Sequence, residues 1–153
     1  MHRWISCASL GAAFVVGMTG TEVIGAQEEE GTIKYRQSVM KSVGGHTGAI
    51  YQIVKNDNPN KSHLQAHAGA LHDLMEMAAS AFRSKTSGGK TRAKANIWTD
   101  ASGFESALND ARTAAGAFES AVSSGNDAAI AEKLDTLLDT CKGCHREYRE
   151  KNE

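Results

Sequence analysis

The sequence predicts an all-α protein that folds as a four-helix bundle. Four segments carry apolar residues at alternating intervals of three and four, the spacing that places side chains on one face of a helix. Alanine is frequent, runs of β-branched residues are absent, and the 153 residues include a single proline, Pro59. This length suits one domain with one modest core.

The amino-terminal segment, residues 1–26, is predicted to be a secretory signal that is removed. It has a basic start at Arg3, an apolar run over residues 5–16 and a small-residue exit before QEEE. The apolar run is shorter than the roughly 20 residues that a membrane span needs. We therefore expect residues 27–153 to form a mature periplasmic domain that is not inserted in the membrane.

The first two helices are predicted from their apolar stripes. The first stripe extends from Ile33 to Val54, and the turn-forming sequence NDNPN ends that helix. The second stripe extends from Leu64 to Phe82. A positively charged, glycine-containing loop over residues 83–96 follows it.

The third and fourth helices complete the predicted bundle. The third has the most regular pattern, from Ile97 to Val122 over about seven turns, and Gly125 is its expected stop signal. The last helix follows, and its apolar stripe includes Cys141 and Cys144. Both cysteines are therefore expected to face the core.

The last helix contains the motif CKGCH, formed by Cys141, Cys144 and His145. This pattern is typical of c-type haem attachment, because residues at i and i+3 reach the two vinyl groups from one side of a helix. The adjacent histidine can offer its imidazole to the iron. A closed zinc site would need a fourth ligand, and a thioredoxin-like pair would need a strand before its helix. We predict one haem c, covalently bound through both cysteines, with His145 as an iron ligand.

With these motifs, the sequence resembles the cytochrome c′ superfamily. The segments CKGCHREYR, KYRQSVMKSVGGHTGAI and NIW carry the resemblance, which covers the chain from Ile33 to Arg149. It implies an antiparallel bundle with the haem between the helices near the carboxyl end. It also implies that Arg36 lies near the haem propionates, Gln37 at the haem edge and Trp98 beside the haem.

Met40 falls at the distal position of that superfamily. The resemblance implies that a bulky residue there restricts gas access in five-coordinate members, whereas a methionine binds the iron in the low-spin branch. RQSVMKSVGG is more similar to the low-spin branch. We therefore predict a periplasmic electron carrier with His145 and Met40 as axial ligands. The alternative is a five-coordinate, high-spin protein that binds small gases such as NO or CO, with Met40 as a core residue.

The composition and the remaining motifs limit the possible partners. The 17 basic and 18 acidic residues are nearly balanced, so nucleic acid is not an expected partner. No catalytic constellation is present, so we predict no enzyme activity. The expected partners are periplasmic redox donor and acceptor proteins and a second copy in a homodimer. The basic loop is interpreted as a solvated surface, with a docking patch for an acidic redox partner as the alternative. His63 and His67 have a spacing that can hold a metal but lack a carboxylate motif, so we predict partly exposed helix residues.

Overall fold

The apolar stripes form four long helices in the computed structural model, which describes residues 20–86 and 88–151. Together with one short helix they are α1 (Gly20–Lys55), α2 (Leu64–Ala81), α3 (Asn96–Thr99), α4 (Ala101–Ser124) and α5 (Asp127–Tyr148). A 3₁₀ turn, Lys61–His63, precedes α2. The predicted all-α four-helix bundle is confirmed.

The long helices pack in a fixed order. Helix α1 packs mainly on α2, α2 on α4, and α4 on α5. Helices α1 and α5 touch each other at only a few points. The bundle is therefore closely packed along three of its sides and loosely closed along the side between its first and last long helices.

The main core is formed by the predicted stripes. Its most deeply buried large side chains come from all four long helices: Ile50, Leu71, Phe118, Leu134 and Leu137. Burying one such side chain stabilises the fold by about 1.5–3 kcal/mol. A second, smaller cluster centres on Ile97, Phe104 and Tyr148 and lies where α3, α4 and the end of α5 meet.

The third predicted helix is not continuous, which corrects the sequence prediction. The chain breaks at Asp100, whose backbone leaves the helical region (φ −119°, ψ 56°), and α4 starts after it. The Asp100 carboxylate accepts a hydrogen bond from the backbone N–H of Gly103 (3.3 Å) and one from the Tyr148 hydroxyl (2.9 Å). Asp100 therefore caps α4 and links it to the last turn of α5.

This cap predicts a stability effect. Replacing Asp100 by Ala should lower the free energy of unfolding by about 1–2 kcal/mol, because it removes the side-chain acceptor at the start of α4. Thermal unfolding followed by circular dichroism measures the loss. Asp110→Ala, at an exposed position of the same helix, is the matched control and should change stability by less than about 0.5 kcal/mol. Equal losses in the two variants would contradict the capping role.

Helix α1 begins earlier than its apolar stripe. It starts at Gly20, and its first described side chains are mostly exposed. An i, i+4 ion pair between Glu30 and Lys34 (2.7 Å) supports this part of the helix. Residues 1–19 of the predicted signal lie outside the described residues, so the signal stays a prediction. Over the described chain, no helix has the length and apolar character of a membrane span.

Candidate functional site

A cavity of about 980 Å³ occupies the loosely closed side of the bundle, between α1 and α5. This volume lies at the upper end of the range of about 300–1,000 Å³ that is typical of ligand pockets. Phe104, Leu108 and Ala111 of α4 line it between the two helices, and residues 90–93 line it from the loop before α3. The cavity is therefore mainly apolar where it lies deepest.

The α5 wall of the cavity carries the three residues of the CKGCH motif. Cys141, Cys144 and His145 all line the cavity, all are half-buried, and both cysteines are free. Burial raises the pKa of the Cys144 thiol to about 11, and the neighbouring Cys141 adds to the shift. Burial likewise raises the pKa of Cys141. Both thiols are therefore largely protonated at neutral pH.

His145 is held in its neutral form. Burial lowers the pKa of its imidazole, and the positive charges of Arg149 and Arg92 lower it further. A neutral imidazole has a free lone pair, which is the form that binds a metal. Among the described residues that line the cavity, His145 is the one histidine.

The α1 wall faces the α5 wall across the cavity. Met40 lines it, is half-buried, and also packs against the main core. Gly44 and Gly48 follow at one-turn intervals and also line the cavity. A Cβ atom added to either glycine would meet no other atom within 4 Å. The α1 wall therefore leaves open space at both glycines. They belong to the GGHTG segment, but the sequence prediction did not use them.

Arg36 is buried beside the cavity and holds the loop that follows α2. Its guanidinium lies between the rings of Phe82 (4.9 Å) and Trp98 (5.1 Å). It donates three hydrogen bonds, from Nε to the Ala81 carbonyl (3.1 Å), from Nη1 to Thr86 Oγ1 (3.1 Å) and from Nη2 to the Ser84 carbonyl (3.0 Å). Burial lowers its pKa. Arg36 lines the cavity, but these donors are directed at α2 and the loop rather than into it.

Gln37 and Trp98 occupy different places from each other. Gln37 lines the cavity at its exposed edge, and its amide nitrogen donates a hydrogen bond to the Lys90 carbonyl (2.7 Å). Trp98 is not among the residues that line the cavity. Its indole N–H donates to the Phe82 carbonyl (2.9 Å), and its ring covers Arg36. Trp98 thus packs against Arg36, a residue of the cavity wall, without lining the cavity itself.

The basic loop folds onto the end of α5. The Lys94 N–H donates to the Tyr148 carbonyl (3.1 Å), and the Glu150 N–H donates to the Arg92 carbonyl (2.8 Å). This loop was predicted to be a solvated surface, with a docking patch as the alternative. In the structure it forms a wall of the cavity and brings Arg92 near His145.

These features fit a haem. The cavity is large enough for a flat macrocycle, it is apolar where it is deepest, and one wall presents two thiols and an imidazole at the spacing that attachment needs. Within residues 20–86 and 88–151, no group of three or more histidine, cysteine and acidic side chains could hold a bare metal ion. The residues therefore match haem better than zinc.

Comparison with known proteins agrees with this site. A family model described as Cytochrome C' matches residues 31–149. The cytochrome c′ of Rhodospirillum rubrum is 35% identical over 150 residues, which cover 97% of this chain and 99% of that protein. The cytochrome c′ of Pararhodospirillum photometricum is 36% identical over 122 residues, covering 79% and 98%.

Solved structures of the same type have the same fold. The crystal structure of cytochrome c′ from Rubrivivax gelatinosus matches with a TM-score of 0.73 at 27% identity, over 78% of this chain and 94% of that chain. A ferrous variant of the cytochrome c′ from Alcaligenes xylosoxidans with bound NO matches with a TM-score of 0.74 at 26% identity, over 81% and 97%. A carbon monoxide-bound variant of that protein has a TM-score of 0.74 at 27% identity, over 80% and 97%.

These findings overturn the predicted electron carrier. The relatives are named cytochrome c′, and two solved variants of the Alcaligenes xylosoxidans protein hold NO and CO, which favours the alternative of a gas-binding protein. The predicted electron carrier with Met40 bound to the iron opposite His145 is therefore wrong, whereas the redox donor and acceptor proteins stay a prediction. The physical reason is that the Met40 side chain packs against the core. A methionine on an apolar stripe can either pack or bind a metal, and the sequence pattern is the same in both cases.

The cofactor prediction, by contrast, is confirmed. Cytochromes c′ hold haem c covalently through cysteines, and the described chain has two free cysteines, both in the cavity wall. With the family model spanning most of its length and a relative at 35% identity covering nearly all of it, this chain belongs to the cytochrome c′ family.

Proposed function

We propose that this protein binds a small neutral gas, NO or CO, at a five-coordinate haem c in the cavity between α1 and α5. The observation that carries the proposal is the asymmetry of the two walls. The α5 wall presents an imidazole, whereas the described α1 wall presents none. The α1 wall contains Met40, which packs against the core, two glycines, and side chains such as Val43, Thr47 and Tyr51. The Alcaligenes xylosoxidans relatives solved with NO or CO support it.

Residues of α5 hold the cofactor in this proposal. Cys141 and Cys144 would hold the haem by thioether bonds, each formed by addition of its S–H across a vinyl group. His145, neutral because of burial and two nearby arginines, would be the protein ligand of the iron. When bound, the haem would supply an iron that can take up a gas.

Residues of α1 and α4 select the ligand. Met40 narrows the approach on the α1 side, and Phe104, Leu108 and Ala111 keep the interior apolar. An apolar pocket disfavours water and anions, because neither would recover its lost hydrogen bonds there. A small neutral diatomic molecule loses few hydrogen bonds when it enters such a pocket. Gly44 has no side chain, which leaves space beside Met40 for the gas to enter.

The proposed location is the periplasm, and the proposed assembly is a homodimer. The predicted signal over residues 1–26 supports export, and c-type haem attachment takes place outside the cytoplasm. We propose no enzymatic reaction, because members of this family are haem proteins that bind gases and are not typical enzymes.

Gas uptake by the unmodified protein tests the proposal. We expect the oxidised and reduced forms of the periplasmically expressed protein to have high-spin visible spectra. We expect the reduced form to take up one CO per haem when titrated. A low-spin spectrum with a far-red sulfur-to-iron band and no CO uptake would refute the proposal. His145→Ala is the matched variant, since it should retain the covalent haem and change the spectrum of the iron.

A further inference from the structure

Two histidines from different helices meet outside the haem cavity. His46 of α1 and His67 of α2 have their Nδ1 atoms 3.0 Å apart, with ring centroids 5.1 Å apart and ring planes at 64°. Both side chains are half-buried, and neither lines the haem cavity. The pair therefore forms a distinct feature of the α1–α2 interface.

The two Nδ1 atoms are close enough to bind one cation together. When no cation is bound, one Nδ1 must carry a proton and donate it to the other. In the tautomers protonated at Nε2, both Nδ1 atoms have a lone pair that a cation can accept.

The separation of the two nitrogens indicates which metals fit. Two nitrogens bonded to one metal at about 2.0–2.1 Å are about 2.9 Å apart at a right angle and about 3.3 Å apart at a tetrahedral angle. The observed 3.0 Å is close to the right-angle value. Neighbouring positions at a right angle are typical of square-planar and tetragonal Cu²⁺ and Ni²⁺.

We propose that His46 and His67 form a two-imidazole site that binds Cu²⁺ or Ni²⁺ and bridges α1 to α2. No third histidine, cysteine or acidic residue of the described chain joins the pair in a common cluster, so water completes the coordination shell. Cu²⁺ binds more tightly than Ni²⁺ at the same ligands. Because the site joins two helices, a bound ion stabilises the folded chain over the unfolded one.

Titration of the holoprotein with Cu²⁺ in a non-coordinating buffer tests this site. We expect calorimetry to show one Cu²⁺ per chain, and electron paramagnetic resonance to show a tetragonal signal with nitrogen coupling. His46→Ala and His67→Ala should each weaken binding by about tenfold or more, since a chelate becomes a single ligand. The unfolding temperature of the unmodified protein should rise on addition of Cu²⁺, and that of the variants should not.

His63→Ala provides the matched control, because His63 is an exposed histidine one turn before His67. It should retain the affinity of the unmodified protein. His46→Gln and His67→Gln repeat the test with a polar side chain, should an alanine variant fail to fold. The proposal is overturned if the unmodified protein takes up no Cu²⁺, if the variants at His46 and His67 bind as tightly as it does, or if His63→Ala loses as much affinity. In each case the pair only joins α1 to α2 by a hydrogen bond.

Discussion

Replacing Met40 by Ala is expected to raise the rate of CO binding to the reduced protein by about tenfold, which corresponds to about 1.4 kcal/mol in the barrier. Met40 is a large side chain of the α1 wall, which Lys41 and Tyr51 also line, and the glycines at positions 44 and 48 occupy little space. Shortening it should widen the approach without removing an iron ligand. Stopped-flow mixing with CO measures the rate, and visible spectra before mixing should remain high-spin.

Met77→Ala is the matched control for this experiment. Met77 is an exposed methionine of α2 that does not line the cavity, so its replacement should leave the CO rate unchanged. The interpretation of Met40 as a steric barrier fails if Met40→Ala binds CO at the unmodified rate. It also fails if this variant changes the spectrum from low-spin to high-spin, because Met40 would then have been bound to the iron.

Replacing Arg36 by Ala is expected to lower the free energy of unfolding by about 2–3 kcal/mol, because hydrogen bonds from a charged group are lost and buried acceptors are left unsatisfied. The guanidinium is 2% exposed and donates to two backbone carbonyls and to Thr86. Its loss leaves these acceptors in a gap between Phe82 and Trp98, where water reaches them poorly. Denaturant unfolding of the holoprotein measures the change.

Arg83→Ala is the control for this variant, because Arg83 is exposed and lies on the loop that Arg36 holds. Its removal should cost less than about 0.5 kcal/mol. Arg36→Lys should fall between the two, since an ammonium group keeps the charge but cannot reach three acceptors in one plane. Similar stabilities for Arg36→Ala and Arg83→Ala would mean that the guanidinium does not hold the loop.

The bundle was predictable because each long helix carries its own apolar stripe, and burial of that stripe is a local pattern. The break at Asp100 was missed because Ile97 and Phe104 keep the helical spacing across it. The cap depends on one carboxylate and on Tyr148, which lies 48 residues away. The early start of α1 was missed for a different reason, since the side chains of residues 25–32 are mostly exposed and form no apolar stripe.

The same distinction between local and distant contacts applies to the site. Cys141, Cys144 and His145 were found because haem attachment requires a fixed short spacing. The partners of Arg36 are 45 to 50 residues away, and two of them are backbone carbonyls, which no motif can encode. The ligand state of Met40 was predicted wrongly, because a position on an apolar stripe does not distinguish a packed sulfur from a coordinated one.

The loose closure between α1 and α5 has a consequence for how the molecule is assembled. Side chains close three sides of the bundle, and in the proposed site the haem would fill the fourth and act as part of the core. If it is attached to α5 as proposed, it cannot be lost by dilution, so its contribution would not depend on the concentration of free haem. After unfolding, it remains at an effective concentration set by the chain, on the order of millimolar for a short tether. The attached haem would therefore be present each time the chain refolds.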